Sequence, residues 1–316
     1  MTPAQQSTRA PSAQETIRPK IRRELNTKIL VGIGSDEGHI PALDLLGRLR
    51  FPESEITLLH AVDTAYPIPD ADGAKEAEYA RVMENIGRRL LPLAKNEAQL
   101  RRLEVKTELV FGRAADCLRS RAERDNSQLI AVCATKHGPW SSGYMGSATC
   151  SLALNATQSL LVAKPPIHHK STLRVVLGID QSTKVDALLQ RFVDLAPQGI
   201  EEIFIVSAYQ IDDEIARAAH EELPMLGGDI DRFLLERFSE KNADLVRLLT
   251  GFGYRAQSSV DCAAPVDALQ AAMKDFRADL LIIGGTGDAS PAGSKIGSVA
   301  LHEIIAEPYS VLMLRG

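Results

Sequence analysis

Nothing in this sequence is long and apolar enough to cross a bilayer as a helix, since every hydrophobic run stops short of the roughly 18–20 residues that a span needs. Charge of one sign is missing too. The chain carries 36 basic and 41 acidic residues, a net charge of −5, so the concentrated basic surface that grips nucleic acid regardless of sequence is not supplied. Cysteine is scarce: Cys117, Cys133, Cys150 and Cys262 occur without a C-x-x-C pair. Neither a zinc site nor a dithiol motif follows, and the thiols read as buried side chains in a reducing cytoplasm. Aromatics are only 5% of the 316 residues, so the core must be mainly aliphatic. The first 26 residues have no apolar stretch of the kind that marks a signal peptide. They are polar, hold Pro3, Pro11 and Pro19, end in the basic cluster "RPKIRR", and read as a disordered tail. The expectation is a cytoplasmic protein with no nucleic-acid partner and no membrane span.

What is present is one pattern written twice. "KILVGIG", "SEITLLHAV", "LEVKTELVFG", "QLIAVCA" and "SLLVAK" are short, apolar strand candidates separated by helical stretches. From Leu173 the series begins again with "LRVVLGID", "IEEIFIVSAY", "YRAQSSV", "ADLLIIGG" and "YSVLML". The repeat of roughly 145–150 residues is too long for a solenoid unit and fits two copies of one domain. Strands alternating with helices argue for parallel β-α-β units covered on both faces. The expected architecture is α/β: two consecutive doubly wound domains, at 27–165 and 172–316, each with a five-stranded parallel sheet flanked by helices. The joint is "KPPIHHKST", where Pro165 and Pro166 stop the fifth strand. Its adjacent His168 and His169 read as solvated linker residues.

The segment "IIGGTGDASPAGSKIGSVALHEI" gathers Gly284, Gly285, Gly287, Gly293 and Gly297 between a strand and a helix. It is not a Walker loop, because five residues separate Gly287 from Gly293 and serine precedes Lys295. It is not a Rossmann fingerprint either: "GTGDAS" ends in serine, and only one strand follows. Its spacing, Gly284, two residues, Gly287, nine residues, then Gly297-Ser298, resembles the G-x-x-G-x9-G-[S/T] signature of the ATP-binding branch of the universal stress protein family. "VVLGIDQSTKVDAL", with Asp180 and Ser182, resembles that family's first strand and loop. "PVDAL" resembles the start of its third crossover helix, and "EPYSVLMLR" its last strand, with Ser310 in place of a second proline.

The physical reading of the residues agrees. Gly284 ends a strand, where a doubly wound sheet opens its ligand crevice. Without a Cβ, Gly284 and Gly287 allow close approach of backbone to a ribose and phosphate. Gly297 and Ser298 begin the final helix, whose free amides and positive end would face an anion. Ser290, Ser294 and Lys295 stand where outer phosphates would be covered. The family resemblance adds that Asp180 would lie beside the adenosine and that Ala208 or Ser207 would border the base, with ATP, accompanied by Mg, as the ligand. Asp180 could also simply cap the following helix.

The first copy differs. Gly34 stands in place of Asp180, and Cys133 and Lys136 stand in place of Gly284 and Gly287, while Gly146-Ser147 keeps the helix start. The expectation is one nucleotide site per chain, in the second copy, beside a mainly structural first copy. His137, Trp140 and Tyr144 in the altered loop read as packing or as contacts of another ligand. No arrangement of base, orienter and oxyanion donors emerges around Asp288, Lys295 and His302. The resemblance therefore implies a nucleotide-dependent stress-response regulator with slow hydrolysis at most. Three alternatives stay open: a true ATPase or nucleotidyl-transfer enzyme, a scaffold that ignores ATP, and a small-molecule sensor using the inserts around 65–80 and 210–229. The resemblance also implies that the last strands pair edge to edge, here 159–164 with 309–314 inside one chain, while whole chains form a possible homodimer.

Overall fold

The computed structural model describes residues 26–34, 39–63, 73–134, 146–166, 171–211, 230–286 and 296–315. The tail to residue 25 with its basic cluster, the linker histidines, His137, Trp140 and Tyr144, residues 65–72 of the first insert and 212–229 of the second lie outside the described residues. Asn26, the last residue assigned to the tail, is described, and its side-chain amide donates to Glu55 at 3.0 Å.

The first half runs β1 (Thr27–Gly32), α1 (Ile40–Leu49), β2 (Ser54–Val62), α2 (Gly73–Leu100), β3 (Val105–Phe111), α3 (Ala114–Asp125), β4 (Leu129–Cys133), α4 (Ser147–Asn155) and β5 (Ser159–Ala163). The second half repeats it with β6 (Leu173–Ile179), α5 (Val185–Leu195), β7 (Ile200–Tyr209), α6 (Ile230–Gly251), β8 (Ala256–Cys262), α7 (Pro265–Asp275), β9 (Leu280–Gly284), α8 (Ser298–Ile305) and β10 (Ser310–Leu314). The boundaries follow local chemistry. Helices α1 and α7 carry proline in their first turn, where no amide hydrogen is needed. Helix α1 closes on Arg50 at φ 50°, whose N–H returns to the Leu46 carbonyl.

All ten strands form one sheet in the order β3-β2-β1-β4-β5-β10-β9-β6-β7-β8. Every pairing is parallel except the central one, where β5 and β10 run antiparallel with Leu161 opposite Leu312. The expected intramolecular pairing of the last strands is therefore present. Both strands are buried along their whole length, so two potential sticky edges become the middle of the core. The outer strands β3 and β8 share a half-exposed pattern.

Alternation sorts the strand side chains onto two faces. One face carries Ile29, Leu161, Leu312 and Leu177 against α1, α2, α5 and α6. The other carries Leu30, Leu160, Val311 and Val176 against α3, α4, α7 and α8. Each layer is continuous across both halves. The aliphatic core foreseen from composition is present, but the buried thiols are not: Cys117, Cys133 and Cys150 are half-buried and Cys262 is exposed, and no disulfide joins them. Cys262 ends β8, the outermost strand of the sheet among the described residues.

Candidate nucleotide cleft

The carboxyl ends of β6, β7 and β9 open on a cleft of about 810 Å³. Its apolar wall includes Val206, Leu269 and Ile283; Asp180, Ser182, Lys184 and Ser298 supply polar groups. Of the expected site residues, Asp180, Ser182, Ala208, Gly284, Gly297 and Ser298 all line it. Gly287, Ser294 and Lys295 lie outside the described residues, as do Lys136, Asp288 and Ser290.

The turn after β6 is held by a buried network. Gln181 sits at φ 59°, a conformation that side-chain contacts must support. Its amide nitrogen donates to Ser207 Oγ at 2.8 Å and to Asn242 Oδ1 at 3.0 Å. Ser207 Oγ donates to Asn242 Oδ1 at 2.9 Å, and Asn242 Nδ2 donates to the Ser259 carbonyl at 2.9 Å. This settles which residue of the β7 end faces the cleft. Ser207 is consumed by the network under α6, and Ala208 lines the cleft.

Asp180 is not a helix cap. Helix α5 starts at Val185, after Lys184, and the Asp180 carboxylate accepts the Ser182 amide at 3.1 Å. Ser182 Oγ in turn accepts the Lys184 amide at 3.2 Å. These two short turns leave Asp180 exposed at the rim. Lys184 reaches across the opening and donates to Thr286 Oγ1 at 3.3 Å.

Opposite them, Gly284 ends β9. A Cβ built there would lie 3.1 Å from Leu188 Cδ1, so the bare backbone lets α5 close down on the strand. Gly285 donates to the Leu314 carbonyl at 2.9 Å, and its own carbonyl accepts the Gly297 amide at 2.7 Å. That bond seats Gly297 at the head of α8, in extended conformation at φ −82° and ψ 160°. Among the described residues no side chain caps the start of α8. Gly297, Ser298, Val299 and Ala300 line the cleft, which gives an anion a helix start with amides to spare.

Three contributors escaped the sequence reading. Gln181 and Asn242 look like ordinary polar residues until the fold joins them. Arg315 lines the cleft from beyond β10, and burial pushes its guanidinium down to about 10. The repeat contained a signal for it, because alignment of the final strands sets Arg315 on Lys164. Ala156 and Thr157 of the first half also border the cleft. His302 is not among its lining residues: half exposed, its ring stands 3.5 Å from Glu307.

In the first half the corresponding place is built differently. Cys133 ends β4 as Gly284 ends β9, and its sulfur accepts the Ala42 amide in the first turn of α1 at 3.2 Å. Ala134 follows where Gly285 follows. Gly146 keeps the helix-start geometry at φ −80° and ψ 161°. Among the described residues no cluster of three or more metal-ligating side chains occurs, and no helix is long and apolar enough to cross a membrane.

Residues 26–164 match the model of the universal stress protein family. No curated protein matches the sequence. Among solved structures, the chain is similar to a universal stress protein from Archaeoglobus fulgidus DSM 4304, with 15% identity and a TM-score of 0.61 over 91% of this chain and 98% of that one. It is also similar to a putative universal stress protein from Pseudomonas aeruginosa UCBPP-PA14, with 13% identity and a TM-score of 0.61 over 93% and 94% of the two chains. A functionally unknown protein from Pseudomonas aeruginosa PAO1 aligns over 96% of this chain and 95% of its own, with 15% identity and a TM-score of 0.60. At such identities the likeness shows a shared fold, extended over both halves.

Proposed function

We propose, for a chain whose residues 26–164 match the universal stress protein family and whose second half repeats their fold, that the second-half cleft binds ATP and that occupancy makes the protein a nucleotide-dependent stress-response regulator. One observation carries the reading: the start of α8, which no side chain caps among the described residues, and the bare backbone of Gly284, Gly285 and Gly297 share a cleft with an apolar wall. The apolar side suits a purine and ribose, and the helix start suits phosphates. Ala208 would border the base and Asp180 the adenosine, with Gly297 and Ser298 on the phosphates. Gly287, Ser294 and Lys295 belong to the same proposal from their place in the sequence. Magnesium would arrive with the triphosphate, held mainly by phosphate oxygens and water.

The described lining offers one carboxylate, Asp180, beside the cations Lys184 and Arg315. A base held by an orienting partner is not assembled among these residues, so turnover is slow at most. Calorimetric titration of the purified chain with Mg-ATP tests the reading, with one site per chain as the expected result. Two sites, or none at millimolar nucleotide, would remove it.

A further inference from the structure

The junction of the halves is a reciprocal pair of latches. The Lys164 amide donates to Ser310 Oγ at 3.0 Å, and the Arg315 amide donates to Ser159 Oγ at 3.2 Å. Beyond these bonds each strand sends a cation into the other half. Lys164 Nζ donates to the carbonyls of Glu303 at 3.3 Å and Glu307 at 2.5 Å, at the C-terminal end of α8. Arg315 donates to the carbonyls of Ala153 and Ala156, at the C-terminal end of α4. Lys164 is 1% exposed and Arg315 9%.

The latches are equivalent by symmetry but not in consequence. Helix α8 has eight residues, about 12 Å end to end. Its first residues line the second-half cleft, while its last carbonyls hold a first-half ammonium. Arg315 lines that same cleft and is held by first-half carbonyls.

We propose that the first half is the regulatory arm of the second-half cleft: Lys164 is a positioning residue that holds α8 in its ligand-ready pose, and nucleotide binding and docking of the halves strengthen one another. This rests on the nucleotide reading of the cleft. A cation at the C-terminal carbonyls steadies the helix and complements its dipole. A helix this short has little stability of its own, so a loosened last turn is transmitted to the first. Linkage requires reciprocity: whatever the latch adds to nucleotide affinity, nucleotide adds to the latch.

Lys164 is surrounded by titratable groups. Glu303 and His302 lie on α8, Glu307 follows it, and Tyr309 leads into β10. Burial pulls the Lys164 ammonium down to about 8, against the opposing pull of Glu307 and Glu303. The cation is therefore present near neutral pH and lost above it.

The test uses the full chain with Lys164→Met and Lys164→Arg, read by Mg-ATP calorimetry near pH 7 and pH 9 and by hydrogen exchange of residues 298–305 without nucleotide. Lys164→Met should weaken ATP about tenfold near pH 7, with Lys164→Arg within about twofold of the parent. The parent should lose a similar factor between the two pH values, while Lys164→Arg should not. Exchange in α8 should quicken in Lys164→Met alone. Parent-like affinity in a folded Lys164→Met protein overturns the proposal. Should that variant fail to fold, Lys164→Gln, which keeps a shorter hydrogen-bonding side chain without the charge, takes its place; unchanged affinity and unchanged α8 exchange there also overturn it. A parent protein that takes up no ATP removes the nucleotide reading, and exchange then decides the latch alone, with equal α8 rates in parent and Lys164→Met counting against it.

Discussion

Helices α4 and α8 begin alike and sit on equivalent strands, yet what surrounds them differs. Both start from a glycine in the same extended geometry. Before α8 the preceding strand ends in Gly284, whose missing side chain lets Leu188 approach. Before α4 the preceding strand ends in Cys133, whose sulfur is occupied with the Ala42 amide. At the far ends, α4 has Leu152 buried in the aliphatic layer, while α8 at the same position of the repeat has Glu303, also fully buried. The lesson is that one scaffold tolerates both a thiol plug and an open backbone at a strand end, because the sheet beneath is held by burial that neither residue supplies.

The contact between halves should be the most sensitive point. A Cβ at Gly199 would overlap the Arg48 carbonyl oxygen of α1, and the Gly199 amide donates to the Leu49 carbonyl at 2.9 Å. Gly199→Ala should cost roughly 3 kcal/mol or more in chemical denaturation, whereas Glu53→Ala at the matching first-half position should stay within about 0.5 kcal/mol. Equal effects would mean the halves are not docked through this contact.

Next in size is Gly297→Val, which places a branched side chain at the helix start. ATP affinity should fall about 100-fold, near 2.7 kcal/mol, while Gly146→Val leaves it unchanged. Loss of binding from both variants would erase the distinction between the halves.

Glu303 separates α8 from α4 through pH. Burial raises its carboxyl to about 7, against the opposing hydrogen bond from Tyr309 at 2.5 Å. The folded chain thus holds a proton that the unfolded chain releases near the ordinary carboxyl value of about 4.5. Stability from this group is complete below that value and is lost as pH rises through about 7. Denaturant titrations at pH 4.5 and pH 7.5 should show on the order of 2 kcal/mol of that fall disappearing in Glu303→Gln. An unchanged pH slope in the variant counts against the assignment.

Gly284→Ala should have the mildest effect. Leu188 must yield by a few tenths of an ångström, and ATP should weaken about fivefold, near 1 kcal/mol. Cys133→Gly, the reverse exchange, should not create a second site by calorimetry, since the other half still lacks the counterpart of Asp180.

Much of this was readable in the residues. The short aliphatic strands between helical stretches announce themselves by composition and period. The two-proline stop at Pro165 marks the joint, and the glycine spacing marks the cleft. Less readable were residues whose role is a long-range contact. Ser207 and Ala208 are neighbours in a strand and equally plausible beside a base; only Asn242 on α6 engages Ser207 and leaves Ala208 lining the cleft. The alternative of a helix cap for Asp180 could be decided only in the structure, because the start of α5 at Val185 is not marked by a capping residue in the sequence.

By itself, the sequence determined the repeat, the parallel α/β class and the place of the glycine-lined cleft. These depend on local preference and on periodic burial, which neighbouring residues encode. The tertiary structure alone decided that Lys164 and Arg315 cross into opposite halves, that Gly199 must be bare, and that Gln181 is held by Ser207 and Asn242. Those contacts join positions far apart in the chain, and their geometry exists only once β5 and β10 have docked antiparallel and brought each helix end within reach of the other half's cation.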